Sequence, residues 1–260
     1  MGAGIQGPPM ARQAVVEMGA GRGETTSQIE RCLPGVTCRP VDVAGGELPE
    51  QFRGVVICNE FFDALAVHSV ERKNKGLVEH YVDLGVGGFD WVEGSLSGPR
   101  LKGYLESYTS RLAEGQKIEV NLETLDQLEN IFRSLDCGYV LTIDYGYTVN
   151  EIAEGRRLPG GSLMSYLKHQ ASEDVLASPG ERDITAHVNF TALEKRGEQL
   201  GFQSTGPQSQ AIFLSEIGRQ DDFQAALKAS SEAESLHLRM QLKTLLFGLG
   251  ETFRVLVQRK

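Results

Sequence analysis

Short apolar runs alternate with amphipathic segments along most of the chain. The apolar runs predict buried strands at 14–18, 37–43, 55–58, 139–144 and 252–258. Strands that are covered on both faces are apolar throughout, whereas surface helices repeat their apolar positions every three to four residues. The helical pattern occurs at about 24–33, 100–112, 124–135 and 189–200. Strands and helices in alternation predict an α/β domain with a doubly wound sheet.

The stretch 67–92 has a different pattern. Strand-like segments at 67–71, 77–84 and 88–92 are separated by turn residues at 73–76 and 85–87. Three short strands with such turns predict a β-meander inserted into the α/β domain. Further along, 202–214 can include a strand, and 221–246 is helical in pattern with a break near Ser230. The chain is therefore interpreted as one domain over 14–260, preceded by a flexible leader over 1–13.

Charge and composition exclude several classes of protein. The net charge is −9 over 260 residues, which disfavours a nucleic-acid groove because such a groove needs a basic stripe. The acidic balance fits either a cationic partner or an ordinary solvated surface. No apolar run approaches the roughly 18 residues of a membrane span. Cysteine and histidine spacings do not match a zinc site, so we expect no metal and reduced, mostly structural thiols.

A glycine-rich turn follows the first predicted strand, with Gly19, Gly21 and Gly23 at alternate positions after Glu17. Glycines there allow positive φ and let a ligand approach the backbone. A dinucleotide site requires a third glycine where this chain has Glu24, at the helix start that would bind a pyrophosphate. The pattern therefore resembles the first motif of class I methyltransferases, whose cofactor S-adenosylmethionine (SAM) carries no phosphate. A tight turn without a ligand is the alternative.

Two further groups of polar residues follow predicted strands. Asp42 lies about 20 residues after the glycine turn, where a carboxylate can accept hydrogen bonds from a ribose; a surface turn residue is the alternative. The segment 59–65, Asn-Glu-Phe-Phe-Asp-Ala-Leu, follows the third strand. It would place Asn59, Glu60 and Asp63 in the ligand crevice at the carboxyl edge of the sheet. The alternative is a helix cap, with Asn59 capping and Phe62 packing in the core.

Five motifs occur in the order typical of the MidA family of SAM-dependent methyltransferases. They are the glycine turn, segment 59–65, Leu-Thr-Ile-Asp-Tyr-Gly-Tyr at 141–147, Pro-Gly-Glu-Arg-Asp-Ile-Thr-Ala-His-Val-Asn-Phe at 179–190, and Gly-Glu-Thr-Phe at 250–253. The resemblance implies a class I methyltransferase fold, a Rossmann-like doubly wound sheet with an inserted β-meander and extra helices. It also implies SAM as the cofactor. Mitochondrial members of the family assist complex I assembly by methylating a protein arginine, so the resemblance further implies an arginine acceptor.

The resemblance also implies roles for particular residues. The cofactor would be bound by Glu17, Gly19, Gly21, Gly23, Asp42 and Asn59. Glu60 and Asp63 would orient a cationic arginine and accept its proton, because a guanidinium needs carboxylates and a base. Acceptor contacts are expected from Phe61, Phe62, Asp144, Asp183 and His187.

Two of these acceptor assignments have structural alternatives. Asp144 could instead be a turn carboxylate bonded to the amides of Tyr145 and Gly146. His187 could be satisfied by neighbouring backbone, and the stretch 183–187 could fold over the site. Trp91 and the aromatic residues of the meander are assigned to the core or to a partner surface.

The chain also departs from the family pattern. Only 13 residues precede the first strand, Ala66 stands where the family has Pro, and the interval before segment 59–65 is short enough to lack a strand and a helix of the usual sheet. The predicted function is methylation of arginine in a partner protein, with no nucleic-acid or membrane partner. A non-catalytic SAM-binding assembly factor and a small-molecule methyltransferase are the alternatives. The expected location is the cytoplasm of a bacterium, or the mitochondrion of a eukaryote.

Overall fold

The computed structural model describes residues 13–42, 45–109, 112–153, 159–168, 170–229 and 231–260. The strands in these residues, in chain order, are β1 Gln13–Met18, β2 Thr37–Val41, β3 Phe52–Asn59, β4 His68–Lys73, β5 Gly76–Leu84, β6 Phe89–Gly94, β7 Lys117–Val120, β8 Leu135–Tyr147, β9 Met164–Leu167, β10 Gln170–Ser172, β11 Asp183–Thr185, β12 Val188–Asn189, β13 Gln203–Ser209 and β14 Phe253–Arg259.

The α-helices in these residues are α1 Glu24–Cys32, α2 Pro99–Tyr108, α3 Leu122–Ser134, α4 Val149–Ala153, α5 Phe190–Leu200, α6 Gln210–Gly218 and α7 Glu232–Lys243. A turn of π-helix, Thr244–Gly248, continues α7. The side chain of Asn189 caps α5 by accepting from the amide of Ala192 at 3.2 Å, and Gly201 ends it in the left-handed conformation, as the sequence predicts. None of the helices among the described residues is long and apolar enough to span a membrane.

The central sheet has the order β13-β14-β8-β3-β1-β2, and β12 pairs with the end of β8. β2, β1, β3 and β8 are parallel, β14 is antiparallel to β8, and β13 is antiparallel to β14 and so runs in the same direction as the parallel strands. After β1 the chain passes to β2 on one side and then to β3 on the other. The connections after β1 and β3 therefore leave the sheet in opposite directions and open a crevice between them. Such a topological switch point is where ligands bind in open α/β sheets. The fold class predicted from sequence is confirmed.

The edge of the sheet explains two features of the sequence. β2 pairs only with β1 among the described residues, so the strand that would continue the sheet beyond β2 is absent there. Pro40 in β2 is accommodated because an edge strand leaves one side of its backbone unpaired. The short interval before segment 59–65 thus corresponds to a sheet that ends one strand early.

The predicted insertion is larger than its sequence pattern indicates. β4, β5 and β6 form the predicted meander, and β7 pairs with β4 to make a four-stranded antiparallel sheet. Helix α2 covers this sheet through Leu101, Tyr104 and Leu105, which belong to a second hydrophobic core with Val70 and Ile118. The insertion therefore extends over 68–120 rather than 67–92. Four residues in β7 are too short a segment for periodicity to identify.

Several other boundaries differ from the predictions. The helix predicted over 100–112 ends at Tyr108, and only 203–209 of the segment 202–214 is a strand, because α6 begins at Gln210. The helix predicted over 221–246 begins only at Glu232, with Ser231 as its cap. A third sheet, of order β10-β9-β11, was not predicted. Residues 1–12 of the predicted leader lie outside the described residues.

Candidate cofactor and active site

The glycine turn connects β1 to α1 and has an open outer surface. Gly19, Gly21 and Gly23 have φ values of 67°, 51° and 70°, a region that side chains rarely adopt. A methyl group added at Gly21 or Gly23 would meet no other atom within 4 Å, whereas at Gly19 it would lie 3.0 Å from Cδ2 of Phe61. The turn is therefore covered by Phe61 at its first glycine and is open above the other two.

Glu17 is buried at the end of β1, with 5% of its surface exposed. Its Oε2 accepts a hydrogen bond from the amide of Thr26 at 2.9 Å and another from the Thr26 hydroxyl. The carboxylate thereby binds the first turn of α1, where helix amides are unpaired and the helix dipole is positive. Because Oε2 is committed to the helix, contact with a cationic ligand would involve Oε1 or a bridging water.

Asp42 lies beside the glycine turn at the end of β2. Its Oδ2 accepts from the amide of Gly21 at 2.8 Å, and its backbone exchanges two hydrogen bonds with Gly45, both of 3.0 Å. The side chain thus stabilises the turn while lying at the opening above Gly21. This placement is compatible both with the predicted ribose contact and with the alternative of a turn residue.

The segment after β3 forms a loop, which we call the acidic loop (residues 59–63). Its residues are not helical, so the helix cap considered for Asn59 is not observed; Asn59 is exposed at the end of β3. Glu60 has a φ of 48°, and its amide donates to the carbonyl of Ile143 at 2.9 Å. Its carboxylate accepts from the hydroxyl of Tyr145. Glu60 is therefore held at the surface beside the end of β8.

Asp144 holds the acidic loop in place. Its Oδ2 accepts from the amides of Phe62 at 3.1 Å and Asp63 at 3.2 Å, and its Oδ1 accepts from the amide of Tyr145 at 2.9 Å. The side chain has no exposed surface, so the predicted acceptor contact is wrong for this arrangement. Asp144 instead has the alternative role of a turn carboxylate, although its amide partners include the loop rather than Gly146.

The two aromatic residues of the acidic loop have different environments. Phe62 is fully buried in the main hydrophobic core, while Phe61 is partly buried against it. Their rings make an edge contact with centroids 5.0 Å apart. The predicted role as a wall of the acceptor site is therefore wrong for Phe62, because a fully buried ring cannot contact a substrate. Phe61, which covers Gly19, remains a candidate.

Asp63 combines burial with an incompletely bonded carboxylate. Only 3% of its surface is exposed, and among the described residues no hydrogen-bond partner reaches its Oδ1. Burial, followed by the charge of Glu60, raises the pKa of Asp63 to about 6. Burial and the charge of Asp63 also raise the pKa of Asp144 well above its ordinary value. Carboxyl groups with raised pKa values in a crevice are candidates for acid–base chemistry.

The predicted cover over the site is a strand of the third sheet. Asp183 begins β11 and is exposed, in register with Tyr166. The amide of Ala186 donates to the carbonyl of Asp63 at 2.9 Å, so this stretch does lie against the acidic loop. The amide of His187 donates to the hydroxyl of Ser162 at 2.9 Å, and its ring stacks on Tyr145 with centroids 6.3 Å apart. His187 therefore lies near Glu60 through Tyr145.

The inserted sheet contains histidine–glutamate contacts that sequence reasoning missed. Nδ1 of His68 lies 2.7 Å from Oε1 of Glu79, and Nε2 of His80 lies 2.8 Å from Oε2 of Glu71. Each pair is diagonal across the β4–β5 hairpin, where such side chains are within reach of each other. The turn Asn74-Lys75 fixes this register. With the register known, the pairs could have been predicted.

One group of possible metal ligands occurs among the described residues. Ligand atoms of Glu71, His80 and Glu93 lie within 4.8 Å of one another. Nζ of Lys73 lies 3.0 Å from Oε1 of Glu71 and 3.1 Å from Oε1 of Glu93, so these two carboxylates already share an ammonium group as their partner. The four cysteines are free thiols.

Proteins of known structure share this architecture. A Burkholderia thailandensis protein, crystallised with S-adenosyl-homocysteine bound, is 26% identical, with a TM-score of 0.79 over 96% of this chain and 72% of that chain. A native crystal structure from the same organism also gives a TM-score of 0.79, over 96% and 74% of the two chains. The predicted Rossmann-like architecture of the methyltransferase class is thus supported over nearly the whole chain.

Curated sequences provide further relatives. The protein arginine methyltransferase NDUFAF7, mitochondrial, of Danio rerio is 28% identical over 74% of this chain and 44% of its own length. The Caenorhabditis elegans homologue is 25% identical over 80% of this chain and 47% of its own length, and the Homo sapiens protein is 27% identical over 68% and 38%. The chain spans less than half the length of these curated relatives.

The family match includes the acidic loop, the end of β8 and the stretch that covers the site. A family model described as "Putative S-adenosyl-L-methionine-dependent methyltransferase" matches residues 43–208. The glycine turn precedes that span, and its shape is seen only in the structure. Because the matched residues are more than half of the chain, the resemblance found in the sequence is confirmed, and the chain belongs to this family of S-adenosyl-L-methionine-dependent methyltransferases.

Proposed function

We propose that this chain binds SAM at the switch point of its central sheet and methylates arginine in a partner protein. The observation that carries the proposal is that three segments with carboxylate side chains, the glycine turn, the end of β2 and the acidic loop, follow neighbouring strands at the carboxyl edge of the central sheet. There Glu17 and Asp42 flank the glycine turn, while Glu60 and Asp63 lie on the neighbouring acidic loop. Both the cofactor's sulfonium and an arginine are cations, which fit such a crevice.

The shape of the glycine turn fits the cofactor. The space above Gly21 and Gly23 would be filled by side chains at those positions, and Asp42 lies at its opening. We assign cofactor contacts to Glu17, Gly19, Gly21, Gly23, Asp42 and Asn59. SAM, when bound, supplies a methyl group activated for transfer by its positively charged sulfur.

The acidic loop supplies the groups that a guanidinium acceptor needs. A carboxylate can bind the planar guanidinium in a charge-assisted, bidentate contact, and we assign this contact to Glu60. Tyr145 holds Glu60 from one side through its hydroxyl. The proposed flanking contacts to the acceptor come from Phe61 on the acidic loop, and from Asp183 and His187 in the stretch 183–187 that lies against it.

Asp63 is the proposed general base. Methylation would form a C–N bond at a guanidinium nitrogen as the bond between the methyl carbon and the sulfur of SAM breaks, which leaves S-adenosyl-homocysteine. The proton released from that nitrogen would pass to Oδ1 of Asp63, which is buried in this structure. A base is most effective when its pKa lies near the working pH, and a pKa of about 6 meets that condition better than an ordinary aspartate does. The side chain of Asp144 accepts from the amides of Phe62 and Asp63 and so holds the loop that carries the Asp63 carboxylate.

The partner and location are proposed from the relatives. Their names describe mitochondrial protein arginine methyltransferases, which supports a protein acceptor carrying arginine rather than a nucleic acid or a lipid. By the same comparison, we propose the mitochondrion for a eukaryotic source and the cytoplasm for a bacterial one.

Calorimetry followed by a transfer assay tests the proposal. We expect S-adenosyl-homocysteine to bind and NAD not to bind, because Glu24 occupies the helix position where a dinucleotide needs a glycine. SAM labelled at its methyl group, added to a lysate of the source organism, should then label protein at arginine. Binding of NAD without binding of S-adenosyl-homocysteine would overturn the cofactor assignment. Cofactor binding without transfer to any protein would favour a non-catalytic assembly factor.

A further inference from the structure

Two adjoining cavities lie between the inserted sheet and the third sheet. The first has a volume of ≈ 520 Å³ and the second ≈ 610 Å³. The residues that line both cavities are Ser69, His80, Trp91, Leu163 and Val175. Because they share these residues, the two cavities adjoin, and together they are larger than a single amino-acid side chain fills.

The first cavity is mainly apolar and begins directly after the acidic loop. Ala64 and Leu65, which follow Asp63, form part of its wall. Val82 and Ile184 also line it, and each exposes nearly half of its surface, 48% and 46%. Exposed aliphatic side chains in a concave surface mark a site for the apolar parts of a ligand.

The second cavity is acidic. Glu93, Glu119 and Glu173 line it, whereas Lys117 is its only lysine or arginine among the described residues. Nζ of Lys117 lies 3.8 Å from Oε2 of Glu71, so its charge is shared with a carboxylate outside the wall. This cavity therefore favours a cation.

Glu119 is the most deeply placed of these carboxylates. It is 5% exposed, and its Oε2 accepts from the amide of Ser162 at 2.7 Å and from the Ser162 hydroxyl at 2.5 Å. Burial raises the pKa of Glu119, as expected for a carboxyl group that ordinary ion pairing does not fully compensate. A cation that entered the cavity would favour its ionised form.

A chain of contacts connects Glu119 to the proposed catalytic loop. Ser162 donates to Glu119 and accepts from the amide of His187. The ring of His187 stacks on Tyr145, and the Tyr145 hydroxyl donates to Glu60. Ser162, His187 and Tyr145 thus link Glu119 of the acidic cavity to Glu60 of the acidic loop.

We propose that the two cavities form the acceptor cleft of the enzyme and bind an arginine-bearing peptide segment of the partner protein. The inference rests on the proposed function. The apolar cavity binds apolar side chains of the segment, Glu119 attracts a basic residue that flanks the arginine bound by Glu60, and Trp91 lines both cavities. Charge complementarity selects this occupant, because Glu119 and Glu173 line the second cavity besides Glu93, which pairs with Lys73, and Lys117 is the only lysine or arginine that lines it among the described residues.

Trp91 makes the proposal directly measurable. It is the single tryptophan of the chain, it is 44% exposed, and it lines both cavities. The probes are two capped glycine- and serine-rich nonapeptides that carry either one arginine or one citrulline, which keeps the shape but removes the charge. We expect the arginine peptide to change the Trp91 fluorescence saturably and to bind about tenfold or more tightly than the citrulline peptide.

Substitutions identify the carboxylate responsible for the difference in affinity between the arginine and citrulline peptides. Glu119→Gln should weaken the arginine peptide about tenfold and leave the citrulline peptide unchanged. Glu106→Gln, on the exposed surface of α2, is the matched control and should change neither. If Glu119→Gln does not fold, Glu173→Gln at the exposed side of the cavity should still weaken the arginine peptide about threefold.

The outcomes separate this proposal from the proposed function. Equal binding of the two peptides, or unchanged arginine affinity in the variant used, would overturn the cleft assignment. Neither result depends on the cofactor, because the fluorescence titration needs none. Failure of S-adenosyl-homocysteine to bind in calorimetry would overturn the proposed function, and the peptide affinities would still test the cleft.

Discussion

The carboxylates of the cofactor crevice and those of the inserted sheet are held in different ways. In the crevice, Glu17, Asp42 and Asp144 accept hydrogen bonds from backbone amides of neighbouring loops and of the first turn of α1. In the inserted sheet, Glu71 and Glu79 contact side chains, including His80 and His68, and Glu79 also accepts from the amide of Ser97. An amide orients a carboxylate without neutralising it, whereas a lysine or a protonated histidine supplies a compensating charge.

The pKa shifts follow from this difference. For Glu71 and Glu79, burial acts to raise the pKa, but hydrogen bonds from Lys73, His80, His68 and other donors outweigh it and the net shift is downward. For Asp63 and Asp144, burial and their mutual or neighbouring negative charges dominate, and the pKa is raised. The carboxyl groups of Asp63 and Asp144 thus lack a compensating positive charge, which a cationic ligand can supply, while Glu71 and Glu79 already have side-chain donors in a structural role.

Glu119 belongs to the inserted sheet but resembles the crevice. The amide and hydroxyl of Ser162 hold it, and burial raises its pKa. The comparison therefore teaches that the type of partner, rather than the position in the fold, separates carboxylates available to a ligand from those that stabilise the protein. This distinction is the physical basis for assigning Glu119 to the acceptor.

The largest expected effect is loss of cofactor binding on substitution in the glycine turn. Gly21→Val places a branched side chain in the open space above the turn, at a φ of 51°. We expect S-adenosyl-homocysteine binding to become undetectable by calorimetry, since the side chain occupies the ligand's position. Gly115→Val, in the turn before β7, is matched because its φ is 76° and its surroundings are equally open. If both variants bind normally, the cofactor does not lie on the turn.

The same comparison explains how much could be predicted from the sequence. The glycine turn and the acidic loop each follow a buried strand within a few residues, so their local pattern was sufficient to place them in one crevice. The alternating apolar pattern also predicted three strands of the insertion. These features depend on residues that are close in sequence, where periodicity and turn chemistry are informative.

The remainder depends on contacts between distant segments. Glu119 and Ser162 are 43 residues apart, and Tyr145 and Glu60 are 85 apart. The role of Asp144 was mistaken because its amide partners at Phe62 and Asp63 are about 80 residues away in sequence. Phe62 and Phe61 are adjacent and chemically identical, and only the three-dimensional packing determines that Phe62 faces the core. No local pattern contains this information.

The next largest effect concerns catalysis at the acidic loop. Asp63→Asn keeps the shape of the side chain but removes the base, so we expect methyl transfer to fall about 100-fold or more with near-normal S-adenosyl-homocysteine affinity. Glu60→Gln should behave similarly. Glu71→Gln in the inserted sheet is the contrasting variant, and its effect should be on thermal stability rather than on rate. Unchanged turnover in both Asp63→Asn and Glu60→Gln would exclude the carboxylate mechanism.

The pH dependence of Asp63 sharpens this test. The base works when ionised, so the wild-type rate should rise with pH through about 6 and level off above it, and Asp63→Asn should lack that step. The contribution of Asp63 to the free energy of unfolding should instead fall as the pH rises. The pKa of Asp63 is higher in the folded protein than its ordinary value of 3.8, so its contribution is greatest at low pH and decreases as pH rises through about 6. Asp63→Asn should therefore be at least as stable as wild type at pH 8.

The smallest effect is expected at Tyr145, which joins the two kinds of site. Its hydroxyl donates to Glu60, and its ring stacks on His187 beside the acidic cavity. Burial and the charge of Glu60 raise the pKa of Tyr145, so it remains a neutral donor and only orients Glu60. Tyr145→Phe keeps the ring and removes one hydrogen bond, for which a loss of roughly 0.5 to 1.5 kcal/mol is typical. We expect kcat to fall about three- to tenfold, with S-adenosyl-homocysteine affinity and thermal stability nearly unchanged. A fall in stability with unchanged kcat would instead assign the Tyr145–Glu60 contact to the fold, and would group Glu60 with the structural carboxylates of the inserted sheet.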